Sequence, residues 1–196
     1  MRNLLAARAH GVFTPTLTGV GERSHLLRRD VGLDTHVADV ANLVIWENLR
    51  DLVLVGHSYG GIVARHVADR MPDRIRSLIY LDAFVPENGK TLFDYLPDNG
   101  EGDRKLAVAH GDGWRVPPRQ ASAFAVNAAD AAGVDRQCTM HRCPVLKRRR
   151  RSAAPATTSQ TSDTFERVAL TVLSDSFTSR RESAAGGGRS LHADMM

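Results

Sequence analysis

The residues of this chain that could do chemistry lie in one short segment, between Gly56 and Gly61. Within it, Ser58 stands in the pattern Gly-x-Ser-x-Gly, with one more glycine directly after the pattern. A serine hydroxyl becomes an effective nucleophile when a sharp turn between a strand and a helix exposes it beside a base. Glycines permit such a turn because they carry no β-carbon. The spacing therefore predicts hydrolytic chemistry at Ser58.

The segments on either side of Ser58 have the patterns of a strand and a helix. Residues 52–55 are a continuous apolar run, which is typical of a parallel strand buried on both faces. After the turn, apolar residues recur at helical spacing with charged residues on the other face. Residues 77–83 predict a second buried strand. We expect Ser58 to occupy a strained turn between a strand that ends near Val55 and a helix that starts near Tyr59.

The region upstream of this segment also has an α/β pattern. Residues 12–17 predict a strand that leads into a glycine-containing loop, and residues 34–48 predict a helix that Asp34 or Thr35 can cap. The apolar residues of that helix fall at i, i+3, i+4 and i+7: Val37, Val40, Ala41 and Val44. The expected fold is a parallel sheet with flanking helices.

The charge distribution argues against a nucleic-acid partner. The formal net charge is +4, but the five basic residues at 147–151 alone exceed it, so the rest of the chain carries a net charge of about −1. The basicity is therefore local, and a solvated charge run explains it. No segment resembles a secretory signal or a membrane span, so we expect no membrane partner.

Cys138, His141 and Cys143 are close enough in sequence to be considered as metal ligands. Their spacing matches no common zinc pattern, and no second pair of ligands follows. We therefore interpret the two cysteines as incidental and expect no metal and no cofactor. Such sparse cysteine usage also predicts a reducing, cytoplasmic setting.

The composition divides the remainder of the chain into two stretches. Residues 84–141 contain clusters of Pro, Gly and Asp with scattered aromatic residues, which favours a mobile cap over a pocket. Residues 142–196 are rich in Arg, Ser, Thr and Ala, which predicts a divergent, disordered tail without a catalytic group. Residues 165–173 are the exception, as they could form a short helix or strand. We interpret the tail as the product of a shifted reading frame.

Four segments share motifs with a known family: residues 12–26, 33–40, 53–61 and 81–86. The most specific are the Thr-Leu-Thr-Gly-Val-Gly-Glu-Arg loop at 16–23 and the Ser58 turn. In these motifs, residues 1–141 resemble the α/β-hydrolase superfamily, in the small-esterase branch that contains plant methyl-ester esterases and hydroxynitrile lyases. The resemblance implies a partial α/β-hydrolase fold over 1–141, with 84–141 as a cap-like region. It also implies cofactor-free hydrolysis of small carboxylic esters.

The resemblance implies roles for individual residues. Ser58 would be the nucleophile, and the backbone N–H of Tyr59 would be one donor of the oxyanion hole. Asp82 ends the neighbouring strand and would be the catalytic acid, or else it caps the turn that follows. Glu22 and Arg23 would pair with each other or pin their loop.

Two further parts of such a site have no counterpart in the sequence. The second oxyanion donor of the family follows an early central strand, which would precede residue 1. The catalytic histidine follows a late strand, whereas His192 stands behind three glycines. His57 is next to the nucleophile and would point elsewhere. The remaining histidines are expected to pack or to face solvent: His10, His25, His36, His66 and His110.

These gaps predict a fragment that is incomplete at both ends, with weak esterase activity or none. Without its central strand, the sheet would have two unpaired inner edges, at a cost of about 1 to 3 kcal/mol for each buried polar group. Two other functions fit the same residues. One is a non-catalytic ligand-binding or interaction module, and the other is lyase chemistry of the hydroxynitrile type, with Ser58 as a base. Nothing in the sequence indicates an oligomeric state.

Overall fold

The computed structural model describes residues 2–85, 87, 90–143 and 168–173, the last of these by their backbone. The strands in this part of the chain are β1 (Gly11–Phe13), β2 (Leu52–Ser58), β3 (Ile75–Ala83), β4 (Arg115–Val116), β5 (His141–Arg142) and β6 (Val168–Leu173). The α-helices are α1 (Arg2–Ala6), α2 (Leu33–Trp46), α3 (Gly60–Arg70), α4 (Glu101–His110) and α5 (Ala128–Gln137). Short 3₁₀ turns connect several of these elements.

Among the described residues, a four-stranded parallel sheet with the order β1-β6-β2-β3 forms the centre of the molecule. Helices α2 and α3 contact each other, and α3 also packs on β2 and β3. The main hydrophobic core lies between these elements. Its fully buried side chains come from the loop after β1, from both helices and from β2: Leu17, Val37, Val40, Val44, Leu52, Leu54, Val63 and Val67. The predicted α/β class, a parallel sheet with flanking helices, is confirmed.

Strand β6 corrects the expectation that the sheet has two unpaired inner edges. It lies between β1 and β2, parallel to both, and Ala169 is the partner of Val12 on one side and of Val53 on the other. A segment from the last part of the chain therefore takes the central position that the missing early strand was expected to leave open. Of the two conformations considered for residues 165–173, the structure has a strand at Val168–Leu173.

Most predicted elements are present, with shifted ends. Helix α2 begins at Leu33, and its predicted stripe of Val37, Val40 and Val44 is fully buried. The Gly32 N–H donates to the Thr35 hydroxyl at 3.4 Å, so Thr35 caps the helix from inside its first turn. Strand β1 is shorter than the predicted 12–17, because the chain turns into the glycine-containing loop.

Residues of the cap-like region form a small unit with a core of its own. Strands β4 and β5 pair antiparallel, and Phe93, Ala107, Val116 and Cys143 are buried together. The predicted boundary between 141 and 142 falls inside β5. Contacts between described residues join this unit to the loop that follows β1: Gly21 N–H to Thr139 Oγ1 at 2.9 Å, Arg142 Nη1 to the Val31 carbonyl at 3.1 Å, Arg29 Nη2 to the Asp112 carbonyl at 3.5 Å, and Arg29 over the Trp114 ring at 5.1 Å.

The tail at 144–167 and 174–196, which includes the basic run and His192, lies outside the described residues, so its disorder stays a prediction. Among the helices that the structure describes, none is both long enough and apolar enough to span a bilayer.

The central position of β6 makes its backbone essential to the sheet. We expect Ala169→Pro to lower the free energy of unfolding by about 3 kcal/mol, because proline has no N–H for the ladder and clashes within a central strand. Urea titration followed by circular dichroism measures the loss. The control is Ala169→Ser, which keeps the backbone donor.

A chain that stops at residue 167 tests the same strand without any substitution. We expect it to lose the cooperative urea transition, since β1 and β2 would no longer share a partner. If Ala169→Pro and the chain that stops at residue 167 both had the urea midpoint of the unchanged full chain, β6 would contribute nothing to the fold.

Candidate functional site

Ser58 ends strand β2 in a turn that few non-glycine residues adopt. Its φ is +51°, in the left-handed region, where an L-residue costs roughly 1 to 3 kcal/mol. Helix α3 begins two residues later, at Gly60, with Tyr59 as its N-cap. The predicted strained turn is therefore present, although β2 continues to Ser58 itself and does not end near Val55. The hydroxyl stands at the carboxyl edge of the parallel sheet, where ligands bind in open α/β sheets.

The glycines hold this turn by letting α3 approach the strands closely. A β-carbon on Gly56 would lie 2.6 Å from the Gly61 Cα and 2.7 Å from the Gly60 carbonyl oxygen. One on Gly61 would lie 2.6 Å from the Phe84 carbonyl oxygen. These neighbours are backbone atoms, which cannot give way as a flexible side chain would. The first turn of α3 is thus clamped between β2 and the end of β3.

Asp82 forms a bulge beside the turn. Ser58 pairs with Ala83 and His57 pairs with Leu81, so Asp82 is the extra residue on β3, with a φ of +43°. The Phe84 N–H donates to the Ser58 carbonyl at 3.1 Å and fixes the two strand ends together. Bulges of this kind aim a side chain away from the ladder. The Asp82 carboxylate is exposed, and among the described residues it has no hydrogen-bond partner.

Tyr59 follows the serine and is fixed through its side chain. Its hydroxyl lies 2.9 Å from His36 Nδ1, and the two rings meet edge to face at 5.6 Å. The other ring nitrogen of His36 lies 3.0 Å from the carbonyl oxygen of Thr18. Within the part of the chain that the structure describes, the Tyr59 backbone N–H donates no hydrogen bond. That N–H is therefore free to donate to a ligand at Ser58.

Thr18 belongs to the loop after β1, which is pinned by charged side chains. Asp39 on α2 accepts hydrogen bonds from the Thr18 N–H at 2.7 Å and from its hydroxyl at 2.8 Å. Arg23 lies 3.5 Å from the same carboxylate and donates to the Thr16 carbonyl at 2.8 Å. Glu22 accepts from the Thr16 hydroxyl at 2.7 Å. Of the two roles predicted for Glu22 and Arg23, the structure shows the pinning of their loop.

Burial shifts the acid–base behaviour of the pair His36 and Tyr59. It lowers the pKa of His36 below 6.5, against an opposing influence from the Thr18 carbonyl and the Asp39 carboxylate. Burial raises the pKa of the Tyr59 phenol above its ordinary value, and the nearby Arg142 guanidinium opposes that shift only in part. Both side chains are consequently neutral at pH 7.

The other histidines of the described residues differ in their surroundings. His66 Nδ1 lies 2.8 Å from the Ile62 carbonyl of its own helix, and His57 Nδ1 is buried without a partner. His141 is partly buried in the cap-like unit, where desolvation lowers its pKa. His25 and His110 are exposed. None of these rings is a hydrogen-bond partner of the Ser58 hydroxyl within the described ranges.

Cys138 and Cys143 carry free thiols, and Cys143 is buried, which raises the pKa of its thiol. Across residues 2–85, 87 and 90–143, no group of three or more His, Cys, Asp or Glu side chains is placed to hold a metal ion.

Comparison with known proteins gives one family match and several curated relatives. The model of the family described as "Alpha/beta hydrolase family" matches residues 1–192. The carbendazim hydrolyzing esterase of Nocardioides sp. (strain SG-4G) is 43% identical over 134 residues, which are 68% of this chain and 48% of that protein. Lipase LipV of Mycobacterium tuberculosis is 39% identical over 60 residues, or 31% of this chain and 23% of the lipase. The pyrethroid hydrolase of Sphingobium wenxiniae is 34% identical over 90 residues, or 45% of this chain and 31% of that enzyme.

The chain thus spans about half the length of the first of these relatives and less of the others. A solved structure is also similar: an extracellular alpha/beta-hydrolase from a Paenibacillus species, described as sharing structural and functional homology with tobacco salicylic acid binding protein 2. The TM-score is 0.65 at 23% identity, over 76% of this chain and 63% of that one. This likeness shows a common fold.

The close packing of α3 on the turn predicts that one methyl group added at Gly56 has a large effect on stability. We expect Gly56→Ala to lower the free energy of unfolding by about 1 to 3 kcal/mol, because its β-carbon would push α3 off β2. Gly133→Ala in α5 is the matched control, since its β-carbon would have nothing within 4 Å. That variant should gain about 0.5 to 1 kcal/mol from helix propensity. Equal urea midpoints for the two variants would contradict the clamp.

The lowered pKa values of His36 and His141 predict a pH dependence of stability. Both folded-state values lie below 6.5, so the unfolded chain binds more protons, and stability falls as the pH drops below about 6.5 towards the folded-state values. Urea midpoints at about pH 7.5 and about pH 5.5 measure the loss. His36→Gln and His141→Gln should each flatten the dependence. A pH effect that neither substitution changes would refute the assignment.

Proposed function

Because the chain belongs to the alpha/beta hydrolase family, we propose that it is a serine esterase that acts on small carboxylic esters. The family match confirms the resemblance inferred from the motifs. The observation that carries the proposal is the geometry of Ser58, a left-handed residue between β2 and α3 at the carboxyl edge of the sheet. The relatives named as an esterase, a lipase and a hydrolase support an ester as substrate.

In the proposed reaction, the Ser58 oxygen attacks the ester carbonyl as its proton passes to a base. The carbonyl oxygen becomes an oxyanion, which the free N–H of Tyr59 stabilises at the N-terminus of α3. The intermediate then collapses, and the base returns the proton to the oxygen of the breaking C–O bond, so that the alcohol leaves. Water, which gives a proton to the same base, then hydrolyses the acyl-serine and regenerates Ser58. Asp82, on its bulge beside Ser58, is the proposed acid that would orient the base.

The proposed activity is weak. In the family, the second oxyanion donor lies in a loop after an early central strand, and no motif of this chain matches that loop. A lost oxyanion donor costs on the order of 100- to 1,000-fold in rate. The Ser58 hydroxyl also has no imidazole partner among the described residues. The same proposal includes a small ester as substrate, a reaction without cofactor or nucleic acid, and a cytoplasmic setting.

The test is turnover of p-nitrophenyl acetate by the purified chain. We expect slow hydrolysis above the buffer rate, and Ser58→Ala should abolish it because the nucleophile is removed. The matched control is Ser122→Ala, an exposed serine in the cap-like unit, which should keep the full rate. Turnover that persists in Ser58→Ala would exclude the proposed mechanism.

Two alternatives predict different outcomes of that experiment. A non-catalytic ligand-binding module would bind ester analogues equally well before and after the Ser58→Ala substitution, and neither form would turn an ester over. A lyase of the hydroxynitrile type would release cyanide from mandelonitrile in a Ser58-dependent manner, with little ester hydrolysis.

A further inference from the structure

We propose that His36 is a positioning residue for the reaction at Ser58, because it fixes the side chain of the residue that supplies the oxyanion N–H. The inference rests on the proposed esterase function. From the sequence alone, His36 is one of the histidines expected to pack or to face solvent. The structure instead places His36 between the loop after β1 and the turn at the nucleophile.

The two ring nitrogens of His36 have different and fixed roles. The Thr18 carbonyl can only accept, so His36 Nε2 carries the proton and donates to it at 3.0 Å. In the neutral ring, Nδ1 must then accept, and the Tyr59 hydroxyl donates to it at 2.9 Å. The imidazole is therefore a one-way link from the tyrosine to a backbone carbonyl, with no nitrogen left for proton transfer.

The link is anchored at its far end. Thr18 is held by two hydrogen bonds to Asp39, and Asp39 is part of α2, as is His36. Arg23 bridges the Asp39 carboxylate and the Thr16 carbonyl. Helix α2 is in turn fixed by fully buried valines in the main core. The hydroxyl of Tyr59 is thus tied to a helix that packs into the main core.

This anchoring matters because the Tyr59 N–H acts through its direction. Ser58 is strained, and such a backbone conformation persists only where neighbouring contacts determine it. On one side, the bond from Phe84 N–H to the Ser58 carbonyl holds the turn. On the other side, the hydrogen bond from Tyr59 to His36 holds the next residue. An oxyanion donor must point at the developing charge, and small errors in its direction cost rate more than binding.

The experiment measures kcat and KM for p-nitrophenyl acetate in Tyr59→Phe, which deletes one oxygen atom, and in His36→Ala. We expect kcat to fall by about 10-fold in each, with KM changed by about twofold or less, because the contact acts on the transition state. In the double variant kcat should fall no further, since both changes break the same link. His66→Ala is the control, because the His66 ring hydrogen-bonds the Ile62 carbonyl of its own helix, and it should keep kcat.

The outcomes separate this inference from the proposed function. If the wild-type chain turns over the ester through Ser58 while both link variants keep its kcat, the positioning role is wrong and the esterase stands. Independent, additive losses in the two single variants would also overturn it. A wild-type chain without Ser58-dependent turnover would overturn both.

Discussion

The close approach of helix α3 to strands β2 and β3 is the constraint on which the candidate site depends. At Gly56 the approaching atoms are backbone atoms, and at Gly61 the nearest is the Phe84 carbonyl oxygen, so each position has room for a hydrogen but not for a methyl group. Within this packing, Ser58 lies in the left-handed region, and the Tyr59 N–H has no internal acceptor among the described residues. The half-buried serine and the adjacent donor therefore belong to one packing arrangement.

Strand β6 completes the sheet, and the sheet must be stable enough to offset the backbone strain at Ser58. A turn that costs roughly 1 to 3 kcal/mol persists only on a scaffold with stability to offset it. Strand β2 ends in the turn, and its hydrogen bonds run to β3 on one side and to β6 on the other. The turn at Ser58 therefore depends on pairing between segments that are far apart in the sequence, which is a contact of high loop-closure cost.

The sequence predicted the local elements well because their signals are local. The valines of α2 recur with the helical period, and the glycines around Ser58 mark the turn within six residues. The position of β6 was not predictable, because a run of six residues at 168–173 fits a helix or a strand and its pairing partners are remote in sequence. His36 was missed for a related reason. Its role comes from two tertiary contacts, to Thr18 and Tyr59, and a single histidine on a helix carries no pattern that reveals them.

The positions of the histidines determine whether Ser58 has a general base. A general base for Ser58 needs an unprotonated ring nitrogen at hydrogen-bond distance of the hydroxyl. His36 has none, since Nδ1 is engaged by Tyr59 and Nε2 by Thr18. His57 adjoins Ser58 in β2, but successive strand residues point to opposite faces, and its Nδ1 is buried. Within the described residues, no histidine is a hydrogen-bond partner of the Ser58 hydroxyl, so the proposed reaction needs a base that these contacts do not show. The strained turn and the Tyr59 N–H are in place independently of that base. Under the proposed function, the same geometry would bind the carbonyl of an ester before any proton moves.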